Sequence, residues 1–192
     1  MVATAKVAIV GAGPQGLAAL KNLVELNLSS PEPLFAPTLF DARTTVGGVW
    51  AFSPDVNTLS VLKSTIANVC RWRNCYSDFP VAKAWKMDAR QGDPPTYLDQ
   101  AEQQMYFEKY VERFDLLRYI NFGTQVKKIS RCTGEDGKWS VTTAAVDSGV
   151  EQVATFDKVI IATGQVSSPY SPELPGIENY TGTVLHSCGF KR

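Results

Sequence analysis

A three-layer α/β fold is the class this sequence predicts, with a parallel sheet lying between helices and an antiparallel β-meander. Three observations predict it. The apolar run Val7-Ala8-Ile9-Val10 passes straight into Gly11-Ala12-Gly13-Pro14-Gln15-Gly16 and then Leu17-Ala18-Ala19-Leu20, which reads as strand, tight turn and helix. A second apolar run, Lys158-Val159-Ile160-Ile161-Ala162-Thr163-Gly164, ends in small residues, as a buried parallel strand pointing at a ligand does. Ahead of it, β-like runs from Gln125 to Cys132, Lys138 to Thr143 and Val153 to Ile161 are separated by Thr133-Gly134-Glu135-Asp136-Gly137 and Asp147-Ser148-Gly149, the pattern of a meander.

The first turn carries the most chemistry. In the spacing G-x-G-x-x-G, Gly11 allows the tight turn, Gly13 lets the backbone approach a pyrophosphate, and Gly16 lets the helix pack close to the strand. Pro14 and Gln15 open the helix whose N-terminus would face the phosphates, a Rossmann-like arrangement. The plain alternative is a glycine-rich turn without a ligand. Ser29-Ser30-Pro31-Glu32-Pro33 cannot extend the helix. Pro37-Thr38-Leu39-Phe40 then reads as the second strand of a βαβ unit and ends on Asp41, whose carboxylate would accept from a ribose 2′-OH and repel a 2′-phosphate. That favours FAD or NAD over NADP, a preference that Arg43 nearby would soften; the plain alternative for Asp41 is a solvated strand-end carboxylate.

Beyond Asp41 a turn-rich segment carries Gly47-Gly48-Val49-Trp50, and residues 57 to 90 have no single period. Thr96 to Phe114 reads as a helix, with Tyr97, Ala101, Met105, Tyr110, Val111 and Phe114 near a 3.6-residue spacing; the aromatics there belong to a core rather than to a cofactor. After the run ending at Ile161, Thr163 and Gly164 form a turn where backbone can come close to a bound group.

Composition narrows the function classes. The chain has 192 residues, 44% hydrophobic, enough for one sizeable core. Nineteen basic residues balance nineteen acidic ones, so no basic stripe suggests a nucleic-acid partner. No apolar run reaches membrane-span length and no secretory leader is readable, which gives a cytoplasmic protein as the expectation. Cys70, Cys75, Cys132 and Cys188 lack zinc spacing, and His186 is the single histidine, so no metal is expected and the thiols read as free. The lone histidine reads as fixing a turn or junction rather than as a catalytic base.

Over nearly its whole length the chain resembles the N-terminal, FAD-binding portion of the flavin-containing monooxygenases. The likeness rests on Gly11, Gly13 and Gly16, on Gly47-Gly48-Val49-Trp50, on Ser77-Asp78-Phe79-Pro80, and on Tyr110-Val111-Glu112-Arg113-Phe114 running to Phe122-Gly123-Thr124-Gln125-Val126. It continues through Trp139-Ser140-Val141 and Ala162-Thr163-Gly164 to Tyr180-Thr181-Gly182-Thr183-Val184-Leu185-His186-Ser187-Cys188-Gly189-Phe190, similar to the family's F-x-G-x-x-x-H-x-x-x-Y/F signature with tyrosine for its first phenylalanine. The resemblance implies that Gly11 to Gly16 hold the FAD pyrophosphate, Asp41 the adenosine ribose and Gly48, Val49 and Trp50 the flavin side. It implies that Val126 meets the adenine through its backbone. Asn68 takes the place of a buried amide near flavin and nicotinamide, preceded by Ala67 where the family usually has threonine. The implied chemistry is hydride transfer from NADPH to FAD, capture of O2 as a C4a-hydroperoxyflavin, and transfer of one oxygen to a nucleophilic nitrogen or sulfur of a small-molecule substrate.

No second G-x-G-x-x-G follows Gly164, so residues 1–192 are expected to form an incomplete FAD-binding domain without its NADPH-binding domain, which a second polypeptide would supply if the chain is half of a split enzyme. The alternative is a non-catalytic FAD-binding fragment. A flavin disulfide reductase is the further alternative, because Cys70 and Cys75 beside Arg71 and Arg73 would have lowered thiol pKa values; against it, Cys70 lies well beyond the Gly47-Gly48 turn.

Overall fold

A computed structural model describes residues 3–134, 137–165 and 169–191. Glu135 and Asp136 of the expected turn, and Arg192, lie outside the described residues. The strands are β1 (Ala5–Val10), β2 (Phe35–Phe40), β3 (Ile120–Asn121), β4 (Thr124–Arg131), β5 (Trp139–Ala145), β6 (Glu151–Phe156) and β7 (Lys158–Ile161); the helices are α1 (Pro14–Leu28), α2 (Val81–Met87) and α3 (Gln100–Arg113).

One sheet is parallel with the order β3-β2-β1-β7, and the other is the antiparallel meander β4-β5-β6. Alternation along β1 produces the layers. Val7 and Ile9 join Leu39 in a core with Leu17, Leu20 and Val24 of α1 and with Met105, Tyr106 and Tyr110 of α3. Ala8 points the other way and joins Phe40, Val141 and Phe156 under the meander, with Val126, Ile129 and Val159 at its margin. The expected three-layer α/β fold is therefore the observed one. Pro37 sits in the middle of β2 without breaking it, since β3 pairs only with Leu39 and Phe40 and leaves the other side of Pro37 without a strand neighbour.

Local chemistry fixes the joints. Asn27 at the end of α1 accepts from the Leu34 and Phe35 N–H groups and donates to the Phe35 carbonyl, tying the helix to the strand it feeds. The third helix begins at a capping box, Asp99 accepting from the Glu102 N–H at 2.8 Å while Glu102 accepts from the Asp99 N–H at 2.9 Å. That cap starts the helix at Gln100 rather than at Thr96, which leaves Tyr97 half-exposed; Ala101 faces solvent, while Met105, Tyr110 and Val111 are buried as their spacing predicts.

Two expectations are corrected. The run Val153 to Ile161 is two strands in two sheets: β6 ends at Phe156, and the Asp157 carboxylate accepts from the Lys6 N–H at 2.8 Å where the chain turns over to pair with β1. Asp157 and Lys158 mark that break in the sequence, but β-formers on both sides of them make the run read as one strand. The strand β7 is parallel to β1 as expected, but it lies at the edge of the described sheet and Ile161 is 68% exposed, so it is not buried.

The segment from residue 57 to 90 lacks a period because it is mostly a strap, ending in α2, held by side chains of other elements. Phe79 is buried within the ring cluster of Tyr76, Tyr106, Tyr110 and Phe114. Asp78 next to it pairs with Lys21 of α1, which also reaches Glu25 at 2.5 Å and lies 5.0 Å from the Phe114 ring centroid. Burial of Lys21 opposes its charge, but the hydrogen bonds to Asp78 and Glu25 outweigh it and its pKa is raised. Asp78→Ala is expected to lower stability by about 2 kcal/mol, since it strips one carboxylate from a buried ammonium; chemical denaturation measures this, and an unchanged midpoint would remove the pair from the account.

Candidate functional site

The glycine turn ends β1 with Gly11 at φ +102°, a left-handed conformation that glycine adopts without strain. A Cβ there would stand 2.5 Å from the Ala162 carbonyl oxygen, and one on Gly16 would stand 1.8 Å from the Gly11 carbonyl oxygen. Both glycines are therefore required by the protein's own packing. Gly13 differs. Its backbone is extended and an added Cβ would meet only the Gly48 Cα, at an ordinary 3.7 Å. Nothing in the chain itself demands glycine at that position, whereas a group lying against the turn would.

A second turn faces the first. Gly47, at φ +107°, donates its N–H to the Ala12 carbonyl at 2.9 Å, and Gly48, at φ +59°, has its Cβ direction 3.1 Å from the Gly13 Cα. Gly48, Val49 and Trp50 then form one 3-10 turn. The first helix starts at Pro14 with no side-chain cap, so its leading N–H groups remain directed at this junction. An uncapped helix start between two facing glycine turns is a cradle suited to a pyrophosphate.

Asp41 borders the cradle. One carboxylate oxygen accepts from the Ala12 N–H at 2.6 Å and the other from the Arg43 N–H at 2.8 Å, so it is a fixed carboxylate rather than a freely solvated one. The Asp41 backbone exchanges bonds with Asn121 and Thr124, which places the start of β4 beside it. Val126, two residues further on, pairs with Thr143 and is followed by a bulge at which the register shifts before Lys128. The turn at Ala162, Thr163 and Gly164 closes the same end of the sheet: Ala162 donates to the Val10 carbonyl, and Gly164 has φ +77°.

The Arg43 guanidinium turns inward and donates to the Gly48 and Ala51 carbonyls at 2.8 Å each and to the Leu59 carbonyl. Burial lowers its pKa from the ordinary arginine value, which leaves it fully cationic at neutral pH. It organises the loop that carries Trp50 while its charge still interacts with Asp41. Ala67 is buried and its N–H donates to the Leu98 carbonyl at 2.8 Å, but Asn68 itself is exposed, and its side chain has no hydrogen bond among the described residues. The strap is attached at the start of α3, where Gln100 also donates to the Trp50 carbonyl at 2.6 Å, so Asn68 and Trp50 are fastened to the same helix end.

Cys70 and Cys75 are not joined by a disulfide. All four cysteines are free, and burial pushes the Cys75 thiol up rather than down. Arg71 is turned to the Pro94 carbonyl and stacks on Trp72.

Tyr76 is a residue whose role the sequence does not signal, although it adjoins the Ser77-Pro80 motif. Its hydroxyl donates to the Pro14 carbonyl at 2.5 Å, while its N–H donates to the Tyr106 hydroxyl at 2.7 Å, which in turn donates to the Phe79 carbonyl. Burial raises the pKa of both phenols, so they remain neutral donors. With Trp50, Arg73, Asn74 and Phe107 they line a cleft of about 150 Å³ opening at Pro14. Tyr76→Phe is expected to cost about 1 kcal/mol and to loosen the start of α1, seen as faster amide exchange at Gln15 and Gly16; unchanged exchange would mean that the hydroxyl does not position the turn.

Fold and site together define an α/β chain of the dinucleotide-binding class. The flavin-binding monooxygenase-like model matches residues 4–192, and the chain belongs to this FMO-like family of oxidoreductases. It is 34% identical to flavin-containing monooxygenase 1 of Homo sapiens over 97% of this chain and 33% of that protein. It is 35% identical to the N-oxide-forming dimethylaniline monooxygenase 4 of Homo sapiens over 97% of this chain and 31% of that protein. The chain thus spans about a third of the length of these curated relatives. Among solved structures, S-allyl-L-cysteine S-oxygenase from Allium sativum superposes with a TM-score of 0.83 at 25% identity, over 99% of this chain and 43% of that one. Tmm from Pelagibacter shares the fold with a TM-score of 0.82 at 23% identity, over 97% of this chain and 42% of that one. Among the described residues no helix is long and apolar enough to cross a membrane and no cluster of metal-ligating side chains occurs.

Proposed function

We propose that residues 1–192 are the FAD-binding portion of a monooxygenase that, with NADPH as reductant, inserts one atom of O2 at a nucleophilic nitrogen or sulfur of a small molecule. The observation that carries this reading is Gly13: its backbone conformation suits any residue, its Cβ direction is open, and it lies between an uncapped helix start and the facing Gly48. Glycine there fits the close approach of a pyrophosphate.

In this reading Gly11, Gly13, Pro14, Gln15 and Gly16 hold the pyrophosphate against the helix N-terminus. Asp41, already oriented by two backbone N–H groups, accepts from the adenosine ribose, and Val126, at the edge of the bulge, meets the adenine through its backbone. Gly48, Val49 and Trp50 border the flavin rings, Thr163 and Gly164 close the sheet end over the cofactor, and Asn68 offers its amide near the flavin and nicotinamide. When bound, the flavin supplies the redox chemistry that activates O2; the chain positions it and keeps water from its rings. Residues 1–192 carry a single G-x-G-x-x-G, which this reading gives to FAD. The names of the relatives above support nitrogen or sulfur as the acceptor atom.

A non-catalytic FAD-binding module is the second reading, favoured by the exposure of Asn68 and by Ala67 before it. Gel filtration of the purified chain with added FAD tests the shared core of both. Near-stoichiometric flavin absorbance co-eluting with the protein is the expected result, and a folded but colourless chain would overturn it. Bleaching of that absorbance by NADPH, with the sequence that completes the nicotinamide site present, then separates monooxygenase from passive binder.

A further inference from the structure

The segment that follows β7 brings a thiol and an imidazole together, beside the loop whose Val61 N–H donates to the Val49 carbonyl at 2.8 Å. His186 Nδ1 lies 3.0 Å from Cys188 Sγ. The tautomer follows from the other partners. His186 Nε2 lies 3.2 Å from the Tyr170 carbonyl oxygen, which can only accept, so Nε2 carries the hydrogen. The Cys188 N–H donates to Nδ1 at 3.2 Å, which requires the same bare nitrogen. Nδ1 is therefore an unprotonated acceptor shared between the Cys188 N–H and the thiol, and the arrangement has the base–nucleophile–orienting-group logic of an activated cysteine. It also has a recess. Leu59, Ser60, Val61, Leu62 and Thr65 on one side and Ser187, Cys188 and Phe190 on the other line an open cleft of about 480 Å³, mainly apolar. Lys191 closes its margin by donating to the Thr58 carbonyl at 2.7 Å and to Ser60 Oγ at 3.1 Å.

We propose that Cys188 and His186 form a thiol modification site that takes small, uncharged, apolar disulfides. The exchange balances without any further reagent. The proton of Cys188 Sγ passes to His186 Nδ1, the sulfur attacks one sulfur of the disulfide, a new S–S bond forms as the old one breaks, and the departing thiolate takes the proton back from Nδ1. Cys188 is oxidised to the mixed disulfide and half of the reagent is reduced to a thiol. The apolar lining selects uncharged reagents. Cys70, Cys75 and Cys132 have no such base in hydrogen-bond reach among the described residues.

The test is the rate of reaction of the whole 192-residue chain with 2,2′-dithiodipyridine, followed by absorbance of the released thiopyridone, with peptide mapping of the modified cysteine. Cys188 is expected to react first, at least about 10-fold faster than the other three thiols, and its lead is expected to shrink with the anionic 5,5′-dithiobis(2-nitrobenzoate). His186→Asn keeps a side-chain acceptor for the Cys188 N–H and removes the base, so it should abolish the lead while circular dichroism and the rates at Cys70 and Cys132 stay unchanged. Equal rates at all four cysteines, or a fast Cys188 that survives His186→Asn, would overturn the proposal. If His186→Asn also altered the other rates, a Tyr170-backbone-independent control, His186→Gln read by the same peptide map, must reproduce the selective loss for the proposal to stand.

Discussion

Gly13→Ala is expected to weaken FAD binding at least about 100-fold, close to 3 kcal/mol, while the melting temperature moves by less than about 2 °C. The added methyl meets only an ordinary contact at the Gly48 Cα within the chain, so the fold absorbs it; the same methyl occupies space that the pyrophosphate reading assigns to phosphate oxygens. Gly16→Ala is its counterpart. There the methyl would stand 1.8 Å from the Gly11 carbonyl oxygen, so α1 must move away from β1, and a loss of more than about 3 kcal/mol of stability is expected even without flavin. Isothermal titration with FAD and thermal melts of the two variants measure both quantities. A Gly13→Ala chain that binds FAD normally would remove the pyrophosphate from this turn, and a Gly16→Ala chain as stable as the parent would contradict the observed helix–strand contact.

Arg43→Met is expected to destabilise the chain by about 3 kcal/mol and to release the loop bearing Trp50. Three carbonyls, those of Gly48, Ala51 and Leu59, converge on one planar guanidinium. Removing it leaves the Ala51 and Leu59 carbonyls without that donor in a partly buried place and the Gly48 carbonyl with the Ala51 N–H alone, and hydrogen bonds from a charged group are each worth about 1.5–3 kcal/mol before the carbonyls find water. Lysine should rescue little, because a single ammonium does not reproduce the fork. Trp50 fluorescence together with urea unfolding would report it: a red-shifted emission and a lower midpoint are expected for both variants. Full stability in Arg43→Lys would show that charge alone, rather than the geometry of the fork, orders the loop.

Much of the site was legible in local chemistry. The G-x-G-x-x-G run between an apolar strand and an apolar helix has few other physical uses, and Gly11 and Gly16 take up the close contacts expected of them. The meander was legible from alternation and turns, and α3 from its period, to within a few residues at the capped end. The break at Asp157 was not, because β-formers lie on both sides of Asp157 and Lys158 and only pairing with β1 or with β5 assigns the two halves to different sheets. The strap from 57 to 80 was illegible for a related reason: its order comes from Lys21, Leu98, Tyr106 and other partners distant in sequence, and no local period encodes such partners.

By itself, then, the sequence determined the class of fold, the position of the glycine turn and the carboxylate at Asp41, because each depends on short-range sterics and on residue type. Only the tertiary structure decided that Arg43 turns inward to three carbonyls, that Asn68 stands exposed, that Tyr76 braces the first helix and that His186 meets Cys188. In each case the outcome depends on the direction of a polar side chain, set by whichever unpaired group packing brings within about 3 Å, and short-range sterics and residue type do not determine that partner.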